Sequence, residues 1–211
     1  MSTAAGVIKL SVPSFDGKVS VEAALRERKS IRDYKEGPVD LKEISQLLWA
    51  VQGISRPGGY RTCPSAGALY PLEILAIAGK VDGLPAGIYR YDCANHELRI
   101  EGEGDVRPNL ARAALGQSMI SAAPVTISIS GIFERTRRKY GERGIRYVFM
   151  EAGHAAQNIH LQAVSLDLGT VVIGAFRDDQ VKSVLGLQPD ESPLLLMPVG
   201  KLPLGRQESA K

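Results

Sequence analysis

The stretch that decides the fold is IRYVFMEAGHAAQNIHLQAVSLD, residues 145–167, followed directly by LGTVVIGAF, residues 168–176. Ile145, Val148, Phe149, Ala152, Ala155, Ala156, Ile159, Ala163 and Leu166 recur at helical spacing and make one wide apolar face over Ile145–Asp167. Many of these residues are alanines, so another element can approach the helix closely. A face this broad is too apolar for a surface element. Gly169 reads as the helix C-cap. Thr170–Ile173 reads as a buried strand, and Gly174 and Ala175 end it without a bulky side chain.

Working outward, strands are expected at Val7–Val12, Leu72–Ala78, Gly87–Tyr91, Glu97–Ile100, Val125–Ser130 and Leu194–Val199. Helices are expected from a Ser20 cap to Arg28, from an Asp40 cap to Gln52, and over Pro108–Leu115, Phe133–Tyr140 and Asp178–Leu185. Gly53–Tyr60 reads as a Gly/Pro loop, and Asp92–Asn95 as a hairpin turn. Strands and helices that mix without regular βαβ alternation predict an α+β fold. No internal linker is visible, so residues 1–211 read as one domain.

Composition sets limits on function. With 211 residues, 44% of them hydrophobic and 23% charged, the chain is globular and long enough to bury a sizeable core. A net charge of +3 does not by itself argue for nucleic-acid binding. Cys63 and Cys93 form no CxxC pair, which excludes zinc-ribbon and thioredoxin readings; two free thiols are expected ahead of a single disulfide, because nothing marks the chain as secreted. No HExxH occurs, and His154 and His160 lie six apart, so no metal site is predicted. Met1–Gly6 lacks the pattern of a signal peptide, and no apolar run reaches membrane length. The expected location is the cytoplasm.

Four segments carry chemistry. Arg28-Lys29-Ser30-Ile31-Arg32 sets three cations and a hydroxyl at a helix end, which reads either as a phosphate cradle or as a solvated basic terminus. Pro64-Ser65-Ala66-Gly67-Ala68-Leu69-Tyr70-Pro71 is a small-residue loop between prolines, either a tight turn or a place where backbone approaches a flat ligand. Ile173-Gly174-Ala175-Phe176 offers close approach in the same way. Lys139-Tyr140, after Arg135, Arg137 and Arg138, pairs two proton-transfer groups of tunable pKa, or is an exposed basic helix face. Adjacent helix residues point about 100° apart, so the two are not expected to reach one atom. Glu151, His154 and Asn158 share a helix face by spacing. Neither GxGxxG, GxxxxGK[ST] nor GxSxG occurs.

Together with Glu151-Ala152-Gly153-His154-Ala155-Ala156-Gln157-Asn158, these segments resemble the FMN-dependent nitroreductase superfamily over roughly residues 21–202. More narrowly, they resemble its SagB-type branch, the thiazole/oxazole-forming peptide dehydrogenases. The resemblance implies a central, mostly antiparallel sheet flanked by helices, in an interlocked homodimer with FMN at the interface. It implies that Arg28, Lys29, Ser30 and Arg32 hold the FMN phosphate, with Lys201 or Arg206 completing that site. Pro64, Ser65, Ala66, Gly67 and Ala68 line the flavin from the other protomer, while Ile173, Gly174 and Ala175 present backbone groups to its ring. Lys139 and Tyr140 are the implied catalytic pair.

The function implied is hydride movement between a small-molecule or peptide substrate and FMN, such as azoline-to-azole oxidation. NAD(P)H-dependent reduction of nitro or quinone compounds is the alternative. A non-catalytic flavin-binding or nucleic-acid-binding module using Arg135, Arg137, Arg138 and Lys139 is a distant third; against nucleic acid, aromatics make up only 6% and do not interleave with that patch. Neither nucleic acid nor membrane is an expected partner.

Overall fold

In the computed structural model, which describes residues 6–203, the local signals account for most element boundaries. β1 (Val7–Lys9) leads to α1 (Val21–Glu27), which starts where the Ser20 hydroxyl accepts the Ala23 N–H at 3.1 Å. After β2 (Val39–Asp40) comes α2 (Leu41–Gln52), opened by a reciprocal cap: Asp40 accepts the Lys42 N–H, and the Glu43 carboxylate accepts the Asp40 N–H. Next are β3 (Ile54–Arg56), β4 (Tyr60–Arg61), β5 (Leu72–Ala78), β6 (Val81–Asp82), β7 (Gly87–Asp92) and β8 (Glu97–Glu103). The second half runs α3 (Arg107–Ala113), α4 (Ser118–Ala122), β9 (Val125–Gly131), α5 (Phe133–Tyr140), α6 (Arg143–Ser165), β10 (Leu168–Thr170), α7 (Asp178–Leu185) and β11 (Ser192–Lys201).

Seven strands form one sheet in the order β1-β8-β7-β5-β9-β11-β10, and every pairing in it is antiparallel. The two-residue pair β2–β6 is parallel, and β3–β4 is a small separate hairpin. Side chains alternate across the central strands. Leu72, Ile74, Ala76 and Ala78 of β5 join Val125, Ile127 and Ile129 of β9 in a core with Ile44, Leu47 and Leu48 of α2 and Ala152, Ala155, Ala156 and Ile159 of α6. Leu75, Ile77 and Leu196 face the other way and pack with Leu110, Ile120, Val181 and Leu185 from α3, α4 and α7. The fold is α+β, with a central antiparallel sheet covered by helices on both faces. Among the described residues, no helix is long and apolar enough to cross a membrane.

Three expectations need correction. The long helix ends at Ser165 with Leu166 as its cap, and Asp167 takes the left-handed conformation just beyond (φ 56°), so Gly169 is not its cap. Gly169 instead lies in β10 opposite Gly200 of β11. A Cβ at Gly169 would come within 2.6 Å of Ile31, and one at Gly200 within 2.8 Å of the Tyr34 ring. The strand placed at Thr170–Ile173 begins two residues earlier and ends at Thr170, and Ile173 makes only an isolated bridge to Leu196. Finally, the Gly53–Tyr60 loop contains most of the β3–β4 hairpin.

Candidate functional site

The paired glycines Gly169 and Gly200 leave a bare floor, and the segment after α1 lies across it. Ile31 N–H donates to the Thr170 carbonyl and Lys35 N–H to the Lys201 carbonyl, each at 2.9 Å. The Tyr34 hydroxyl reaches the Ile31 and Pro198 carbonyls. This seating buries Ile31 and turns Lys29, Ser30 and Arg32 outward beside the end of β11, where the exposed Lys201 stands. Among the described residues, Arg28, Lys29, Arg32 and Lys201 take part in no ion pair, as holds for most of the Lys and Arg side chains. Exposed guanidinium and ammonium groups without an ion-pair partner are donors that suit a phosphate. Arg206, the other residue named for this role, lies outside the described residues. Beneath the segment, His160 of α6 is 5% exposed; burial, helped by the charge of Arg28, pushes its pKa down to about 4.

The second region is the Pro64–Tyr70 loop. It makes a single 3-10 turn at Ala66–Ala68, with Gly67, Ala68 and Tyr70 all in the left-handed region (φ 63°, 54° and 46°). Helix α5 packs against it. Arg135 donates to the Tyr70 carbonyl at 3.1 Å and pairs with Glu73 of β5 at 2.6 Å. One turn further on, a Cβ placed on Gly67 would sit 2.8 Å from Tyr140 Oη and 2.9 Å from Lys139 Nζ. The amine and the phenol therefore converge on one glycine, contrary to the divergence expected of adjacent helix residues. The helix ends at Gly141, and Lys139 reaches back until Nζ lies 5.5 Å from the Tyr140 ring centroid. Tyr147 of α6 supports the Tyr140 ring edge-on at 5.1 Å between centroids.

Under the loop lies Glu151 of α6, 2% exposed. Its Oε2 accepts the Ser65 hydroxyl at 2.5 Å, and its Oε1 accepts the Gln52 amide at 3.1 Å. Ser65 Oγ accepts the Tyr70 N–H at 2.9 Å. Arg61 donates to Gln52 Oε1 at 2.8 Å and lies over the Tyr70 ring. Burial raises the Glu151 pKa, and the hydrogen bonds from Ser65 and Gln52 only partly offset it. The buried thiol of Cys63, next to Glu151, is pushed up to about 12 by burial and by that carboxylate. The face proposed for Glu151, His154 and Asn158 divides: Asn158 bonds the Ala50 carbonyl on the Glu151 side, while His154 is exposed.

In the third segment, Ile173 spends its N–H and C=O on Leu196, both at 2.9 Å, so its backbone groups are not free to meet a ring. Ala175 gives its carbonyl to Gln117. Gly174 is exposed, and a Cβ there would meet only Leu195, at 3.9 Å, which leaves room for a flat group. Sequence reasoning left Arg135, Gln52 and Arg61 without a role in the site. The sequence marked Glu151 only as a member of the polar face with His154 and Asn158 and of the segment 151–158 that carries the resemblance. Among the described residues, no cluster of three or more His, Cys, Asp or Glu side chains is arranged to hold a metal ion.

The nitroreductase family model matches residues 25–201. A Methanocaldococcus jannaschii protein that bears a nitroreductase name is 43% identical over 194 residues, 92% of this chain and 96% of that one. The microcin B17-processing protein McbC of Escherichia coli is 26% identical over 196 residues, 87% of this chain and 72% of that one. A solved structure from Ralstonia eutropha, also described as a nitroreductase, superposes with a TM-score of 0.83 at 30% identity, covering 96% of this chain and 92% of its own.

Proposed function

Because the chain belongs to the nitroreductase family, and so is an oxidoreductase, we propose that it is an FMN-dependent enzyme of the SagB type that oxidises a peptide azoline to an azole. The observation that carries this reading is the convergence of Lys139 Nζ and Tyr140 Oη on Gly67. Azoline oxidation removes two hydrogens, one with its electron pair and one as a proton. FMN supplies the two-electron acceptor, with oxygen as the final oxidant. The chain must supply a base for the proton, and an amine and a phenol presented on the same small surface are suited to it.

The cofactor assignment rests on fit. Arg28, Lys29, Ser30, Arg32 and Lys201 offer donors for a phosphate that have no ion-pair partner among the described residues, and Gly174 leaves open space for a planar ring. The resemblance of this chain to McbC, a processing protein of microcin B17, supports a peptide as substrate. A homodimer belongs to the same proposal. Phe149 and Met150 of α6 are 55% and 51% exposed, a pair of large apolar side chains that a second copy would cover.

The alternative is NAD(P)H-dependent reduction of nitro or quinone compounds, supported by the nitroreductase name of the 43%-identical relative. One set of measurements separates the two: the absorbance spectrum of the purified protein, its anaerobic bleaching by NADH and by NADPH, and aerobic turnover of a thiazoline peptide. Rapid bleaching without peptide turnover would favour the reductase, and a colourless protein that takes up no FMN would overturn both. Light scattering tests the dimer, and Phe149→Glu should drive it towards monomer.

A further inference from the structure

Building on the reading of Lys139 and Tyr140 as the reacting pair, we infer that Glu151 is a positioning residue for that pair, acting through Ser65 and the left-handed loop above it. Glu151 touches neither side chain. Its two oxygens are each committed, Oε2 to the Ser65 hydroxyl at 2.5 Å and Oε1 to Gln52 at 3.1 Å. Ser65 passes the restraint on by accepting the Tyr70 N–H at 2.9 Å, which closes a ring over residues 65–70. Inside that ring lie three left-handed residues, of which only Gly67 is a glycine. Backbone strain at Ala68 and Tyr70 persists only where the surroundings over-determine it.

The other end of the loop is held by Arg135, which joins the Tyr70 carbonyl to Glu73. Arg135 shares α5 with Lys139 and Tyr140, so it sets where the helix sits against the loop. Glu151 comes from a different helix and sets where the loop presents Gly67. Its neighbours on the buried face are Ala152, Ala155, Ala156 and Ile159. Among the described residues it forms no ion pair, since the nearby Arg61 bonds Gln52 instead, and a buried carboxylate with no direct cation partner is a costly way to fill a helix face. Packing alone would be served by another apolar residue. The carboxylate is explained by the hydroxyl it orients.

The test uses the full chain with its flavin. Glu151→Ala and Ser65→Ala each cut the link. Hydrogen–deuterium exchange of the peptide spanning residues 63–70 reads the loop, and the NMR signal of the Tyr140 ring, assigned by its loss in Tyr140→Phe, reads the pair. Neither depends on turnover. In both variants the loop should exchange about tenfold faster, β5 and β9 should keep their protection, and the Tyr140 signal should shift. On a synthetic thiazoline peptide, Glu151→Ala should keep its flavin and its KM and lose about 10–100-fold in kcat, the scale of a small misplacement of reacting groups. Glu151→Gln keeps an acceptor for the Ser65 hydroxyl and should recover most of that loss. If Glu151→Ala fails to fold, Ser65→Ala carries the exchange and NMR measurements.

Wild-type loop exchange with an unmoved Tyr140 signal would overturn the inference. So would a loss of protection spread through β5 and β9, which marks a general structural role. If the wild-type protein ignores the thiazoline peptide while loop and Tyr140 respond as described, the dehydrogenase reading fails and the positioning role stands.

Discussion

The segment Arg28–Lys35 is held to the sheet by its backbone, whereas the loop Ser65–Tyr70 is held from below by side chains. In the first, two main-chain hydrogen bonds and two glycines fix the path, and the cations project with no partner among the described residues. In the second, Glu151, Gln52, Ser65 and Arg135 grip the chain, and what faces outward is a glycine flanked by an amine and a phenol. The difference matches two kinds of work. Attraction between charges falls off slowly with distance, so an anion site tolerates loose side chains. Proton transfer requires hydrogen-bond reach, so its groups must be placed. Changes in the first region should therefore be read in affinity, and changes in the second in rate.

The largest effect is expected where charge is removed outright. Replacing Arg28 and Arg32 together by Ala should cost about 1.5–3 kcal/mol for each lost phosphate contact, or roughly two to four decades in FMN affinity. The absorbance ratio of the purified protein checks it. Undiminished flavin in the double variant would remove the phosphate assignment, and with it the contrast between the two regions.

Lys139→Ala and Tyr140→Phe probe the other side. Loss of a general base typically costs about 10²–10⁴-fold in rate. Azoline oxidation should fall by that order while flavin content and quinone reduction are retained. Equal rates in all three assays would return the pair to a solvated helix end and favour the nitro/quinone reductase.

The two regions also differ in how far the sequence disclosed them. Leu72–Ala78, Phe133–Tyr140 and Asp178–Leu185 were legible end to end, because periodicity and flanking turn residues are local signals. The five-residue α4 has no side-chain cap, and β3–β4 sits among glycines and proline, so neither left a local signature. The cationic run at Arg28–Arg32 announced itself by composition. That Lys139 and Tyr140 meet at Gly67 did not, because it depends on how α5 lies against a loop some seventy residues earlier. Gly169 and Ile173 were misread for a related reason: Gly169 answers to Ile31 and Ile173 to Leu196, both distant in the chain.

Acid sharpens the comparison, because the two regions titrate in opposite senses. His160 has a folded pKa of about 4, against about 6.5 when unfolded, so the unfolded chain binds the extra proton between those values. Its contribution to stability is complete above pH 6.5 and is lost as pH falls towards 4, about 3 kcal/mol in all. Glu151 has a raised folded pKa, so its contribution is lost as pH rises through that value. Melting curves from pH 4 to 7 should therefore show stability climbing with pH in the wild type. The climb should flatten in His160→Gln and steepen in Glu151→Gln. A wild-type slope that His160→Gln leaves unchanged would show that His160 is not the group responsible.

The smallest expected effect is also the most selective. Gly67→Ala forces a side-chain-bearing residue to hold φ 63°, at about 1–2 kcal/mol. Gly186, at the end of α7, has the same φ of 63° and ψ of 32° against 18° at Gly67, but a Cβ there meets nothing within 4 Å. Gly186→Ala thus carries the conformational cost alone. Each variant should lower Tm by about 2–8 °C, as expected for a chain of this length. They should part in turnover. The new methyl at residue 67 lies within 3 Å of Tyr140 Oη and Lys139 Nζ, the free ends of two side chains that yield by swinging away rather than by unfolding the loop. Gly67→Ala should then lose azoline oxidation by about an order of magnitude with its flavin intact, while Gly186→Ala keeps full activity. Equal melting temperatures with equal rates would mean that Gly67 is only a turn residue, and that the amine and phenol converge there without consequence.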